Sequence, residues 1–153
     1  YIEEVAYKYM PFNVQAALGY AQFLRLQELV DIQRKQFSLY SSLLEDVPNI
    51  SLNIEPDEVY NSYWITALVV GEEYNMDKFE LMKGLQDLEI PSRPFFYPLS
   101  KMPAYDQEKK YKEKNINAYS ISQRGINLPG AANLSEEQIY FICSGIKKVL
   151  NNA

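Results

Sequence analysis

The feature that most constrains this chain is a helical hydrophobic period that starts at Asn13 and persists to Val47. An aromatic, extended run, Tyr7-Lys8-Tyr9-Met10-Pro11-Phe12, precedes it. Pro11 lacks an N–H and presets φ, so it fits just ahead of a helix; Asn13 carries the side-chain oxygen of a capping residue. Leu26, Val30, Phe37, Tyr40 and Leu44 then recur at helical spacing, with Arg25, Glu28, Asp31, Arg34 and Lys35 largely on the other side. Ala16, Ala17, Gly19 and Ala21 are small, which predicts close backbone approach to another domain or subunit. A helix over 13–47 outruns what one small domain needs. It reads as a spine joining this domain to further material.

The 153 residues set a one-domain expectation with room for a real core. A formal net charge of −5 argues against nucleic acid as a partner, because phosphate backbones need clustered Lys and Arg. The basic run at Lys109-Lys110-Tyr111-Lys112-Glu113-Lys114 is interrupted by acid and reads as a solvated face. No apolar run reaches membrane-spanning length and no signal-peptide pattern is present, so no membrane partner is expected. The single cysteine, Cys143, cannot form an internal disulfide and fits a reducing compartment, which points to the cytoplasm. It falls in a predicted helix as a small buried apolar residue. With 0 histidines, His-metal sites and Ser-His or Cys-His pairs are excluded within this chain. The opening Tyr1-Ile2-Glu3-Glu4-Val5 starts mid-pattern without Met, as a piece of a longer protein would.

Asp46-Val47-Pro48-Asn49 breaks the helical period. Ile50 to Ile54 alternates like a half-buried strand. Ser62 to Val70 is apolar on both faces and predicts a central strand, with Tyr60 and Trp64 as packing residues. Asp77-Lys78-Phe79-Glu80 is a capping box opening a helix with Phe79, Met82, Leu85 and Leu88 on its buried stripe. Three prolines between Ile90 and Leu99 predict an edge strand running into a stiff aromatic loop. A short polar helix over 105–114, a helix over 115–124 stopped by Gly125, and a short strand over 126–129 follow. Ser135-Glu136-Glu137-Gln138 caps the last helix, with Leu134 and Ile139 as a hydrophobic staple. This order predicts an α+β fold: a small, mostly antiparallel sheet with helices packed on it and a long N-terminal interdomain helix.

Three ordered segments carry a family resemblance. Tyr7-Lys8-Tyr9 with Asn13-Val14-Gln15-Ala16-Ala17-Leu18-Gly19 resembles the loop and helix after the cofactor lysine in the DegT-type nucleotide-sugar aminotransferases. Arg93-Pro94-Phe95-Phe96-Tyr97-Pro98-Leu99-Ser100 with Met102-Pro103 resembles their substrate-side loop, nearest the perosamine-synthase-like branch. Ile126-Asn127-Leu128-Pro129 and Leu134 to Ile139 resemble the closing strand and helix. The resemblance implies the small C-terminal domain of a fold-type I enzyme dependent on pyridoxal phosphate (PLP). Residues 1–12 would be a cofactor-side loop, 13–47 the long helix and 48–153 the α+β small domain. The PLP-binding domain, with the lysine that carries the cofactor, would lie upstream of this sequence. The implied activity of the parent is amino transfer from glutamate to a keto-sugar nucleotide, in a homodimer, for polysaccharide or sugar-metabolite synthesis.

The departures matter as well. The position of Met10 usually holds Arg, Lys or Asn in that family, Pro11 and Phe12 replace Met or Leu and then Ser or Thr, and Ser100 stands where histidine is common. Methionine neither donates a hydrogen bond nor supplies charge. An alternative reading follows: a non-catalytic homologue that keeps the dimer scaffold and binds a ligand.

By the same resemblance, Tyr7, Lys8 and Tyr9 are candidate cofactor contacts, since a cation and hydroxyls suit a phosphate; a packed interface strand is the competing reading. Arg93, Phe95 and Tyr97 are candidate substrate contacts. Arg93 offers a planar pair of donors to a phosphate or carboxylate; the plain alternative is a surface ion pair. Phe95, Phe96 and Tyr97 offer ring faces to a sugar or base, or simply pack. Glu3-Glu4 and Glu72-Glu73 read as solvated surface. No catalytic residue and no metal ligand is assigned to this chain.

Overall fold

The structure is a computed structural model that describes residues 9–105 and 109–151. Tyr7 and Lys8 lie outside the described residues. The helical period resolves into two helices, α1 (Asn13–Phe23) and α2 (Leu26–Leu43). No Pro or Gly marks the break. The chain instead tightens at Leu24 and Arg25, where the Arg25 N–H bonds back to the Gln22 carbonyl, and Arg25 pairs with Glu28 at 2.6 Å as α2 begins. Phe12, not Asn13, is the N-cap of α1; the Gln15 side chain accepts its N–H at 2.9 Å. α1 buries none of its residues. Of the predicted α2 stripe, Tyr40 and Leu44 are buried, whereas Leu26 remains exposed.

Four short strands follow: β1 (Ile50–Leu52), β2 (Ala67–Val70), β3 (Arg93–Pro94) and β4 (Gly125–Asn127). They form one sheet in the order β1-β2-β4-β3, antiparallel throughout. β2 is internal, as its apolar faces required. It is shorter than expected, because residues 61–65 are held by side chains rather than by a ladder. The Asn61 N–H donates to Glu55, the Tyr63 hydroxyl donates to Glu55, and Tyr63 turns to a φ of 49° with its ring stacked on Phe37 at 3.7 Å. Tyr60 and Trp64 are not packing residues: both are exposed, and Tyr60 covers the Arg34 guanidinium at 4.3 Å.

The helices α3 (Lys78–Gln86) and α6 (Glu136–Leu150) keep both capping boxes. Asp77 accepts from the Phe79 and Glu80 N–H groups, and Ser135 from that of Gln138. α6 packs against α2 and α3, and its Ile139, Ile142, Cys143 and Ile146 join Leu68, Val70 and Ile126 in one core. Burial pushes the Cys143 thiol up to about 12, so it stays a neutral thiol. Gly84 permits the α3–α6 approach: a Cβ there would stand 2.8 Å from a Val149 methyl. The α3 stripe is rotated from expectation. Lys78, Leu81 and Leu85 are buried and Phe79 is exposed. α4 (Lys109–Lys114) and α5 (Ile116–Arg124) follow the aromatic loop, and α5 runs straight into β4.

Candidate functional site

The edge strand β3 and the loop after it are built by proline stiffness and three anchors. Arg93 and Pro94 pair with Asn127 and Ile126 of β4. The Phe95 N–H extends the ladder to the Gly125 carbonyl at 2.9 Å. The second anchor is a missing side chain: a Cβ on Gly125 would stand 3.0 Å from the Phe95 Cβ. The third is Lys78, whose ammonium donates to the Phe95 carbonyl at 3.2 Å and lies 4.2 Å from the Tyr97 ring centre.

Ile126 faces the helical core, so strand alternation puts Ala67, Asn127 and Arg93, partners across three strands, on the opposite face. Arg93 is exposed there, and its guanidinium has no hydrogen-bond or ion-pair partner among the described residues. The surface ion pair weighed for it is therefore not formed with them. Next to it, the Asn127 Oδ1 is buried without a hydrogen-bond partner among the described residues. The exposed, unpaired guanidinium can take a ligand that brings acceptors.

Of the other predicted substrate residues, Phe95 is half-buried, with Phe96 edge-on at 6.0 Å and exposed. Tyr97 is partly exposed, between Lys78 and the Lys101 ammonium at 5.3 Å. Ser100 shares a hydrogen bond with the Tyr119 hydroxyl at 3.1 Å. Lys78 escaped the sequence reading because a lysine directly after a cap residue normally points to solvent. Its 2% exposure arises only when the loop folds over it. Burial, and then the neighbouring Lys101 charge, lower its pKa.

The N-terminal side is open. Tyr9 is 88% exposed and Met10 78%. The one buried lysine among the described residues, Lys78, is tied to a backbone carbonyl. Among the described residues no cluster of acidic or cysteine side chains could hold a metal ion, and no helix is long and apolar enough to cross a membrane.

Residues 1–147 match the DegT/DnrJ/EryC1/StrS aminotransferase family. The chain belongs to that family. Among curated relatives it is 35% identical over 148 residues to the GDP-perosamine synthase of Vibrio cholerae, covering 96% of this chain and 40% of that protein. The chain thus spans about two fifths of the relative it matches. Its fold is shared with Helicobacter pylori PseC, an aminotransferase involved in the biosynthesis of pseudoaminic acid. The TM-score there is 0.82 at 16% identity, over 100% of this chain and 41% of that one. A sugar aminotransferase of Streptococcus pneumoniae solved in its PLP form superposes with a TM-score of 0.79 at 22% identity, over 92% of this chain and 36% of that one. Within this DegT-family chain, the α+β small-domain architecture expected from the sequence is the one observed.

Proposed function

We propose that this chain is the small C-terminal domain of a PLP-dependent aminotransferase that moves an amino group from glutamate to a GDP-linked keto-sugar. The observation that carries the reading is the match to a GDP-perosamine synthase across 96% of the chain. The cofactor, when bound, supplies the electron sink for amino transfer. It would be held mainly by the preceding domain, with Tyr7, Lys8 and Tyr9 reaching it from a second subunit. This chain's own part is to present the substrate-side edge. Arg93 binds an anionic group of the nucleotide sugar, Phe95 and Tyr97 wall the sugar or base, and the prolines hold the loop so that little ordering is needed on binding. The apolar residues of α1, exposed in this chain, would pack on the preceding domain and the dimer partner. The setting is cytoplasmic polysaccharide or sugar-metabolite synthesis.

The test is an assay of the full-length protein with glutamate and a GDP-linked keto-sugar, following 2-oxoglutarate. Its formation only when both substrates are present is the expected result. The scaffold reading draws on Met10, which can neither charge nor hydrogen-bond a phosphate. It predicts nucleotide-sugar binding with no 2-oxoglutarate, and that outcome would replace the first reading.

A further inference from the structure

A second cationic feature lies where the first turn of α3, the loop over 95–101 and the end of α5 enclose a cleft of about 580 Å3. Lys78 and Lys101 both line it, their ammoniums 4.2 and 5.3 Å from the Tyr97 ring centre. The Lys78 ammonium carries three donors and gives one to the Phe95 carbonyl; no acceptor among the described residues takes the other two. Lys101 has no carboxylate within ion-pair distance among the described residues. The acids lining the cleft are otherwise engaged. Asp77 accepts the Phe79 and Glu80 N–H groups, Glu80 accepts the Asp77 N–H, and Glu72 stands 3.6 Å from Arg124.

Two ammoniums therefore line one cleft, one of them almost fully buried, and among the described residues neither forms an ion pair with a carboxylate. Burial is costly for a cation whose hydrogen-bond partner is one carbonyl, with ring faces beside it, and a like charge nearby raises the cost. A dianionic oxyanion relieves both at once. Its tetrahedral oxygens meet two point-charge ammoniums from different directions, whereas a planar carboxylate suits the fork of an arginine better. The cleft is also large enough to take a group attached to the oxyanion. We propose that this cleft is a binding site for a phosphate-class oxyanion, held by Lys78 and Lys101. The proposal concerns binding by this chain and does not rest on the aminotransferase reading.

Titration calorimetry of the protein with inorganic phosphate, at ionic strength fixed with sodium chloride, tests it. Saturable binding is expected, weakened at least tenfold in Lys101→Ala and largely retained in Lys101→Arg. Lys101 is exposed, so Lys101→Ala should melt like the wild type without phosphate. Arg93→Lys should bind phosphate normally, which separates this site from the substrate contact proposed above. A guanosine diphosphate arm identifies the source of the oxyanion. Lysine-dependent binding at least tenfold tighter than phosphate marks a nucleotide diphosphate, and equal binding marks a free phosphate; either supports the site. No binding beyond the chloride control, or equal affinity in Lys101→Ala, overturns it.

Discussion

The Arg34 guanidinium forks onto the Glu55 carboxylate at 2.8 and 3.1 Å across 21 residues of sequence. The same carboxylate accepts from the Asn61 N–H and the Tyr63 hydroxyl, and Arg34 also donates to the Asn61 carbonyl. One ion pair thus fixes the segment that leads into β2 and leaves Trp64 at the surface.

This network predicts an acid-sensitive component of stability. The Arg34 hydrogen bonds, then the Asn61 N–H, pull the Glu55 pKa from 4.5 down to about 2. Folding therefore favours the ionised form, and the stability it contributes is complete above about pH 4.5 and lost as pH falls toward 2. Asp46 and Glu136 are also held low by lysine partners and share the acid limb, so the readout is a difference between variants. Melting temperature measured from pH 6 to pH 2 should fall less steeply in Glu55→Gln than in the wild type. Identical slopes would remove Glu55 from the account.

Two neighbouring positions on α3 test the rotated stripe. Leu81 is fully buried, whereas Phe79 is 52% exposed. Leu81→Ala should cost about 2–5 kcal/mol in urea unfolding, as large-to-small core changes do. Phe79→Ala should stay within roughly 0.5 kcal/mol of wild type, as surface changes do. The reverse ranking would restore the stripe expected from periodicity.

Gly19 has nothing within 4 Å of where a Cβ would stand. Gly19→Leu should leave the melting temperature of this chain unchanged while disrupting assembly of the full-length protein. Light scattering that finds the full-length variant fully dimeric would refute the interface role of α1.

Arg93→Lys in the full-length enzyme should weaken nucleotide-sugar use by about 1–3 kcal/mol, the range for a charge-assisted hydrogen bond. Stability should barely move, since an exposed arginine on a stiff edge contributes little to folding. A lowered melting temperature with normal substrate use would make Arg93 structural.

Local chemistry wrote much of this protein into the sequence. Capping at Asp77 and Ser135 depends on side-chain oxygens reaching N–H groups a few residues away, so those helix starts were readable and stand where expected. The apolar run ending at Val70 made β2 central, and the prolines around Arg93 kept β3 at the edge, because proline cannot donate to a ladder. What contacts between distant segments decide was not readable. The α1–α2 break has no glycine or proline to announce it. The segment at Asn61 and Tyr63 leaves the strand because Glu55 captures it while paired with Arg34, which lies 21 residues back in sequence. The burial of Lys78 exists only once the Phe95–Lys101 segment closes over α3, and the unpaired Asn127 amide only once β2 and β3 flank β4. A residue's spacing sets which neighbours it can reach along its own element, whereas desolvation and charge pairing depend on which other elements arrive beside it.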